Sequence, residues 1–373
     1  MREYLERHGL RFSLEEAAGA VGDFGTIFPI VLGVALVSDV NLSHIFLFFA
    51  LWYIISGLYY RLPVPIEPMK AIGAIVIAEG LTSGEIAASG IIIGVFFLII
   101  GVLKGMSRIR GYIPESVIRG VQAGLALLLL RTSLTFITGD LLFATISVGI
   151  VLAFFIAAPR LGIPDISALV VVAVGIGAGL LMHGMPALTP FTLPTLILPD
   201  PALLAPTAWH LVLPQIPLTL TNAILATSLL TADLFRKEVE PDRLSRTIGV
   251  MNLVSVPFGG FPMCHGAGGM AAMYRFGART GGASVIAGGI LLIFAFFFAT
   301  PEMLEIIPVG IFGGLLIFVA IALGRHSAKT DSYPVTVLIA VLTLVMGITV
   351  AFIAGMALAW AEKIWKNKKD SEV

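Results

Sequence analysis

Pro63-Val64-Pro65-Ile66-Glu67-Pro68-Met69-Lys70 opens a short apolar stretch, and Pro262-Met263-Cys264-His265-Gly266-Ala267-Gly268-Gly269 opens another in the second half of the chain. Proline lacks an N–H and pushes the residue before it toward extended backbone, so Pro65 and Pro68 suit an extended approach followed by a helix start. Gly266, Gly268 and Gly269 allow bends and close approach of backbone to a ligand. If both stretches lie near mid-membrane, each begins a half-helix. Their N-termini then face one another, with free N–H groups and positive dipole ends. Such a pair forms an anion site that needs few formal charges. The plainer reading is that these prolines and glycines only shape kinked, tightly packed helices. The presence of the feature in both halves favours the site.

Composition supplies the membrane. Of 373 residues, 58% are apolar and 12% charged, against about 45–50% and about 25% in soluble domains. So few charges cannot cover a water-soluble surface, and the chain reads as an all-α polytopic membrane protein embedded in a lipid bilayer. Lys plus Arg and Asp plus Glu balance at 23 each, which leaves no field to attract nucleic acid. The single Cys264 excludes an internal disulfide framework. One cysteine and scattered histidines make no soft-metal site, Gly259-Gly260 is too little for a nucleotide loop, and no Ser/His/Asp spacing suggests a hydrolase. Neither metal, cofactor nor enzyme activity is expected, and residues 1–16 do not read as a signal peptide.

Apolar stretches fall at 16–37, 43–59, 66–79, 86–103, 115–130, 142–157 and 166–182, then at 210–233, 244–258, 265–276, 283–298, 304–323, 333–347 and 348–365. That makes 14 segments, seven on each side of a Pro-rich loop. The expected organisation is a first repeat over 1–182, an extracytoplasmic loop over 183–209, a second repeat over 210–365 and a cytoplasmic tail over 366–373. Basic residues should gather in cytoplasmic loops. With the N-terminus inside, Arg2, Arg7, Arg11, Arg61, Lys104, Arg108, Arg110 and Arg160 all fall inside. So do Arg236, Lys237, Arg243, Arg246, Arg279, Arg325, Lys329 and the terminal lysines, while Arg131 falls outside. Both termini are thus cytoplasmic, although twelve spans give the same parity. Seven segments per half inverts the second half relative to the first. Irregular features recur in matching places: Gly22-Asp23-Phe24-Gly25-Thr26 interrupts segment 1, and Pro214 to Asn222 interrupts segment 8.

Ionisable residues inside apolar segments are costly and point to function. Asp23 reads as a proton-coupling residue or a partner of Lys70, or else as a cap at the helix break. Glu67 and Lys70, three apart at one helix start, share a face. Lys70 then neutralises an oxyanion and Glu67 carries a coupled proton, unless the two form an ion pair that merely holds the site. Gln215, Thr219, Asn222 and Thr26 offer the directed donors a tetrahedral oxyanion needs, though hydroxyls also bond back to their own helix. His265 reads as a ligand-facing donor, a proton shuttle or a packing residue.

The stretches Gly22 to Thr26, Pro65-Ile66-Glu67-Pro68-Met69-Lys70, and Cys264 to Gly269 followed by Tyr274-Arg275-Phe276-Gly277-Ala278-Arg279 resemble the molybdate transporter family, a relative of the sulfate permeases. The resemblance spans nearly the whole membrane region. It implies a seven-plus-seven inverted repeat with core and gate domains, and half-helices in segments 3 and 10. It also implies alternating-access uptake of molybdate, and of tungstate, across the plasma membrane. The substrate site is expected at Thr26, Glu67, Met69, Lys70, Gln215, Thr219, Asn222, His265, Gly266, Ala267, Gly268 and Gly269, with Asp23 or Glu67 carrying a cotransported proton. A sulfate/proton symporter, a nucleobase permease and an anion channel share the overall fold and stay open as alternatives. A homodimer is the further expectation, with no segment assigned to the contact.

Overall fold

Helices begin where a capping oxygen meets an apolar run. Asn41 accepts from Ser43 N and His44 N at one such start, and Thr82 and Glu85 form a reciprocal capping box at another. The computed structural model describes residues 10–106, 114–162, 166–186 and 190–370. Among these, fourteen helical segments follow in order. The first seven are α1 (Leu14–Val37), α2 (Leu42–Tyr60), α3 (Lys70–Glu79), α4 (Ser83–Val102), α5 (Glu115–Gly139), α6 (Leu141–Leu161) and α7 (Ser167–His183). The second seven are α8 (Pro201–Phe235), α9 (Pro241–Ser255), α10 (Ala267–Arg275), α11 (Gly281–Phe298), α12 (Val309–Ser327), α13 (Tyr333–Met346) and α14 (Ile348–Asp370). A single turn at Pro301–Glu305 precedes α12.

Seven helices are long and apolar enough to cross a bilayer: α1, α2, α4, α5, α6, α8 and α11. Helices α3 and α10 have only 10 and 9 residues. At about 1.5 Å per residue each spans about half of a hydrocarbon core of about 30 Å. Each is completed by extended backbone. Strand β1 (Glu67–Pro68) pairs antiparallel with β2 (Met263–Cys264), in the register Glu67↔Cys264 and Pro68↔Met263. Met69 N adds a bond to Pro262 O at 2.9 Å. Non-helical backbone at membrane depth needs such internal partners. Matching helices of the two halves clamp it: Ser56 of α2 donates to Val64 O (2.9 Å), and Asn252 of α9 both donates to Met263 O (2.7 Å) and accepts from Met263 N (3.0 Å). Replacing Asn252 by alanine strands both Met263 groups in the core, and we expect a loss of about 1–3 kcal/mol, read as a lower melting temperature in detergent.

Helices α2 with α11 and α4 with α9 form the corresponding tight pairs of the two halves, with α1, α3, α8 and α10 among them. Helices α5, α6, α7, α12, α13 and α14 form a second group around the α5–α12 seam. Hydroxyl-to-carbonyl bonds hold α12 to its neighbours where lipid supplies no hydrophobic drive: Ser133 of α5 to Gly313 O (2.7 Å) and Ser147 of α6 to Ile311 O (3.1 Å). The groups meet through α3 on α5 and α1 on α12 and α7.

Several boundaries differ from the sequence expectation, and three bear on its division of the chain. Helix α5 runs on past Leu130 to Gly139, because Thr132 and Thr135 bond back to Leu128 O and Arg131 O. Helix α8 starts at Pro201, inside the expected loop, since Asp200 caps Ala202 N and Pro201 tolerates the first turn. Helix α14 continues to Asp370 through most of the expected tail. Arg2, Arg7, Arg108 and Arg110 lie outside the described residues.

Candidate functional site

The β1–β2 pair delivers the N-termini of α3 and α10 to one place, with α1 and α8 crossing beside them. Each N-terminus already has an internal acceptor. Gln215 of α8 accepts from Ala71 N of α3 at 2.8 Å and donates to Thr219 Oγ1 at 2.8 Å. Both side chains are buried, so they fix α8 to the α3 start. At α10, Glu67 Oε1 accepts from Gly269 N at 3.0 Å, while Glu67 Oε2 pairs with Lys70 Nζ. Helix N-termini favour such negative partners.

Asp23, on the tight turn Val21–Asp23 of α1, is buried with its Oδ2 accepting from Tyr53 Oη of α2 at 2.6 Å. Its other oxygen, Oδ1, has no partner, and among the described residues it is the one such buried side-chain atom. A Cβ placed on Gly266 would overlap the Glu67 carboxylate, and one on Gly269 would overlap Asp23 Oδ1 and Glu67 Oε1. The two glycines therefore let helix α10 close onto both acids. Tyr53→Phe leaves the buried Asp23 carboxylate without its donor. We expect a cost of about 1–3 kcal/mol, seen as reduced thermal stability with the fold retained.

The open side is narrower. Gly25 and Gly268 are exposed, and a Cβ on either would meet nothing within 4 Å. Lys70, Thr26 and Asn222 are partly exposed. Ala267 completes the first turn of α10 and is buried. The structure thus brings Asp23, Thr26, Glu67, Lys70 and the 266–269 turn together, with Gln215 and Thr219 one step behind, while Asn222 is a partly exposed residue of α8.

Two expected residues face elsewhere. Met69 is fully buried, and its N–H belongs to Pro262 O, so it serves the strand pair. His265 points to the rear, where Nδ1 meets Pro65 O (3.1 Å) and Nε2 meets Thr247 Oγ1 (2.8 Å). A carbonyl only accepts, so Nδ1 carries the hydrogen. Tyr60 Oη joins the same Thr247 hydroxyl at 2.6 Å. Tyr53, Thr247 and Asn252 were not readable as site residues, because each looks like an ordinary polar residue of a long apolar helix.

Fold and site define a class: a polytopic membrane carrier with two inverted seven-segment halves whose half-helices start side by side from one short strand pair. Comparison with known proteins agrees. A family model described as "Molybdate transporter of MFS superfamily" matches residues 15–129 and 207–323, which fall on α1–α5 and α8–α12. Molybdate transporter 2 of Arabidopsis thaliana is 32% identical, over 87% of this chain and 82% of that protein. The chain belongs to the molybdate transporter family. Its fold is shared with the transmembrane domain of a cyanobacterium bicarbonate transporter, BicA (TM-score 0.68, 19% identity, 92% of this chain and 97% of that one). It is shared too with murine Solute Carrier 26 family member A9, an anion transporter in its inward-facing state (TM-score 0.69, 16% identity, 98% and 70%). The seven-plus-seven arrangement is distinct from the paired six-helix halves of major-facilitator carriers.

Proposed function

We propose that this chain is a secondary active carrier that takes molybdate, with tungstate as a close substitute, into the cell across the plasma membrane. Its named relatives are transporters of that oxyanion, and the observation that carries the reading is the open space over Gly268 and Gly25 at the α10 N-terminus. In this reading the partly exposed Thr26, Asn222 and Lys70 and the first-turn N–H groups of α10 line it. That combination supplies a positive dipole end, one ammonium and several directed donors, which suits a tetrahedral dianion. The α1–α4 and α8–α11 group acts as the core that carries the site, and the α5–α7 and α12–α14 group as the gate. The basic residues alternate with the helices as expected for cytoplasmic termini.

Bringing a dianion inward against an inside-negative potential costs about 2.3 kcal/mol per charge per 100 mV. Accumulation therefore needs a cation, and the buried Asp23 and Glu67 carboxyls support a proton in that role. The test is molybdate titration of the purified carrier, with tungstate, sulfate and uracil as competitors. Tight molybdate binding that tungstate displaces and sulfate displaces poorly is the expected result. Preferential sulfate binding moves the chain to the sulfate permeases, and uracil binding without oxyanion binding overturns the site chemistry.

A further inference from the structure

The Glu67 side chain is fully buried and has committed both of its oxygens. One holds the Gly269 N–H in the first turn of α10, and the other holds Lys70 Nζ. These are donors that an oxyanion at this helix end would itself use. A carboxylate seated on a helix N-terminus beside an ammonium is already an anion in an anion's place.

A second observation comes from α1. Asp23 Oδ1 is buried without a partner, and it borders the same point beside Gly269 as Glu67 Oε1. Two acceptor oxygens that face one small space are complementary to a single O–H. Thr26 of α1 also lies by the Asp23 carboxyl, but the other groups around Glu67 do not fill that role. Tyr53 of α2 already donates to Asp23 Oδ2, and Lys70 of α3 holds Oε2. Cys264 of β2 is the strand partner of Glu67. His265 is turned to the rear and engaged by Pro65 O and Thr247.

Charge counting gives the direction. With Asp23 and Glu67 ionised and Lys70 protonated, the cluster carries a formal charge of −1. A bound dianion would bring it to −3 in a poorly solvated place, which is costly unless a charge is neutralised.

We propose that Glu67 is a tethered competitor of the substrate, and that this competition couples the anion to a proton. The inference rests on the oxyanion reading above. In the empty carrier the Glu67 carboxylate holds Lys70 and Gly269 N–H. The incoming oxyanion takes both donors. Glu67 accepts one proton from water on the side from which the anion enters, and its new O–H donates to Asp23 Oδ1. When the anion leaves on the other side, Glu67 gives up that proton there and closes again on Lys70. One O–H bond forms and breaks per cycle, and no electrons move. Glu67 is thus a coupling residue that tunes affinity from beneath the seat.

The experiment uses the full chain in detergent, with sodium molybdate as the probe. Adding molybdate to the wild type in weakly buffered solution takes up about one proton per anion bound, and molybdate affinity falls by up to about tenfold per pH unit as the pH rises. In Glu67→Gln the amide oxygen still accepts from Gly269 N, while Lys70 is released to the anion. That variant takes up no proton, and its affinity for molybdate varies less than about twofold from about pH 5 to 8. In liposomes it equilibrates molybdate without accumulating it on a proton gradient. Molybdate binding by the wild type without proton uptake overturns the proposal, whether or not Glu67→Gln folds. So does a Glu67→Gln carrier that keeps the full pH dependence. A wild type that binds none of the oxyanions overturns the carrier reading, and this proposal with it.

Discussion

Replacing Lys70 by alanine weakens molybdate binding by roughly ten- to a hundredfold and, separately, lowers the stability of the empty carrier. The first effect follows from the loss of a charge-assisted hydrogen bond, worth about 1.5–3 kcal/mol, at the partly exposed rim of the seat. The second follows from what remains. Glu67 keeps its bond to Gly269 N but loses its cation while fully buried. Breaking a buried ion pair from one side costs about 3–5 kcal/mol. The stranded charge is what costs that stability. Adding Glu67→Gln should restore it at every pH. The double variant therefore melts close to the wild type but still binds weakly, and the two effects separate. Calorimetric titration and thermal melts of the wild type, both single variants and the double variant close the cycle. A folded Lys70→Ala carrier with unchanged affinity would remove Lys70 from the site.

Much of this arrangement is legible in the sequence, and the part that is not has a common cause. Pro65, Pro68 and the 266–269 glycines announce two broken segments locally, because missing N–H groups and missing Cβ atoms act on their own backbone. Hydropathy places all fourteen segments, since each must be apolar to sit in lipid. What sequence spacing cannot supply is a partner far along the chain. The Glu67↔Cys264 register, the Tyr53 bond to Asp23 and the Asn252 clamp on Met263 each join residues on different elements. The same holds for direction. His265 and Met69 lie inside the decisive motifs, yet one faces Thr247 and the other spends its N–H on Pro262. Helix ends fail for a related reason: polar residues such as Thr132 and Thr135 look like a stop, but bond back to their own helix and let α5 continue.

Alanine at the three glycines of the α10 start produces three different carriers. At Gly266 the added methyl overlaps the whole Glu67 carboxyl group. That group is held by Lys70 and by Gly269 N, so it cannot retreat without losing one of them. The backbone at Gly266 is extended, with φ −150°, so the penalty is steric and not conformational. At Gly269 the methyl overlaps Asp23 Oδ1 as well as Glu67 Oε1, and pushes apart the acids that flank the helix end. Overpacking of this kind costs about 1–3 kcal/mol. Here it also displaces the residues that set the charge of the site, so Gly266→Ala and Gly269→Ala lose molybdate uptake and melt earlier. Gly268 lies between them on the same turn, yet a Cβ there meets nothing within 4 Å. Its replacement restricts the unfolded chain at no steric cost, so stability holds or rises by about 0.4–1 kcal/mol. The methyl nevertheless enters the open space at the α10 start, so affinity falls while the melting temperature does not. A Gly268→Ala carrier that binds molybdate as tightly as the wild type would place the anion elsewhere, whereas lost affinity on an intact fold locates the seat at this turn.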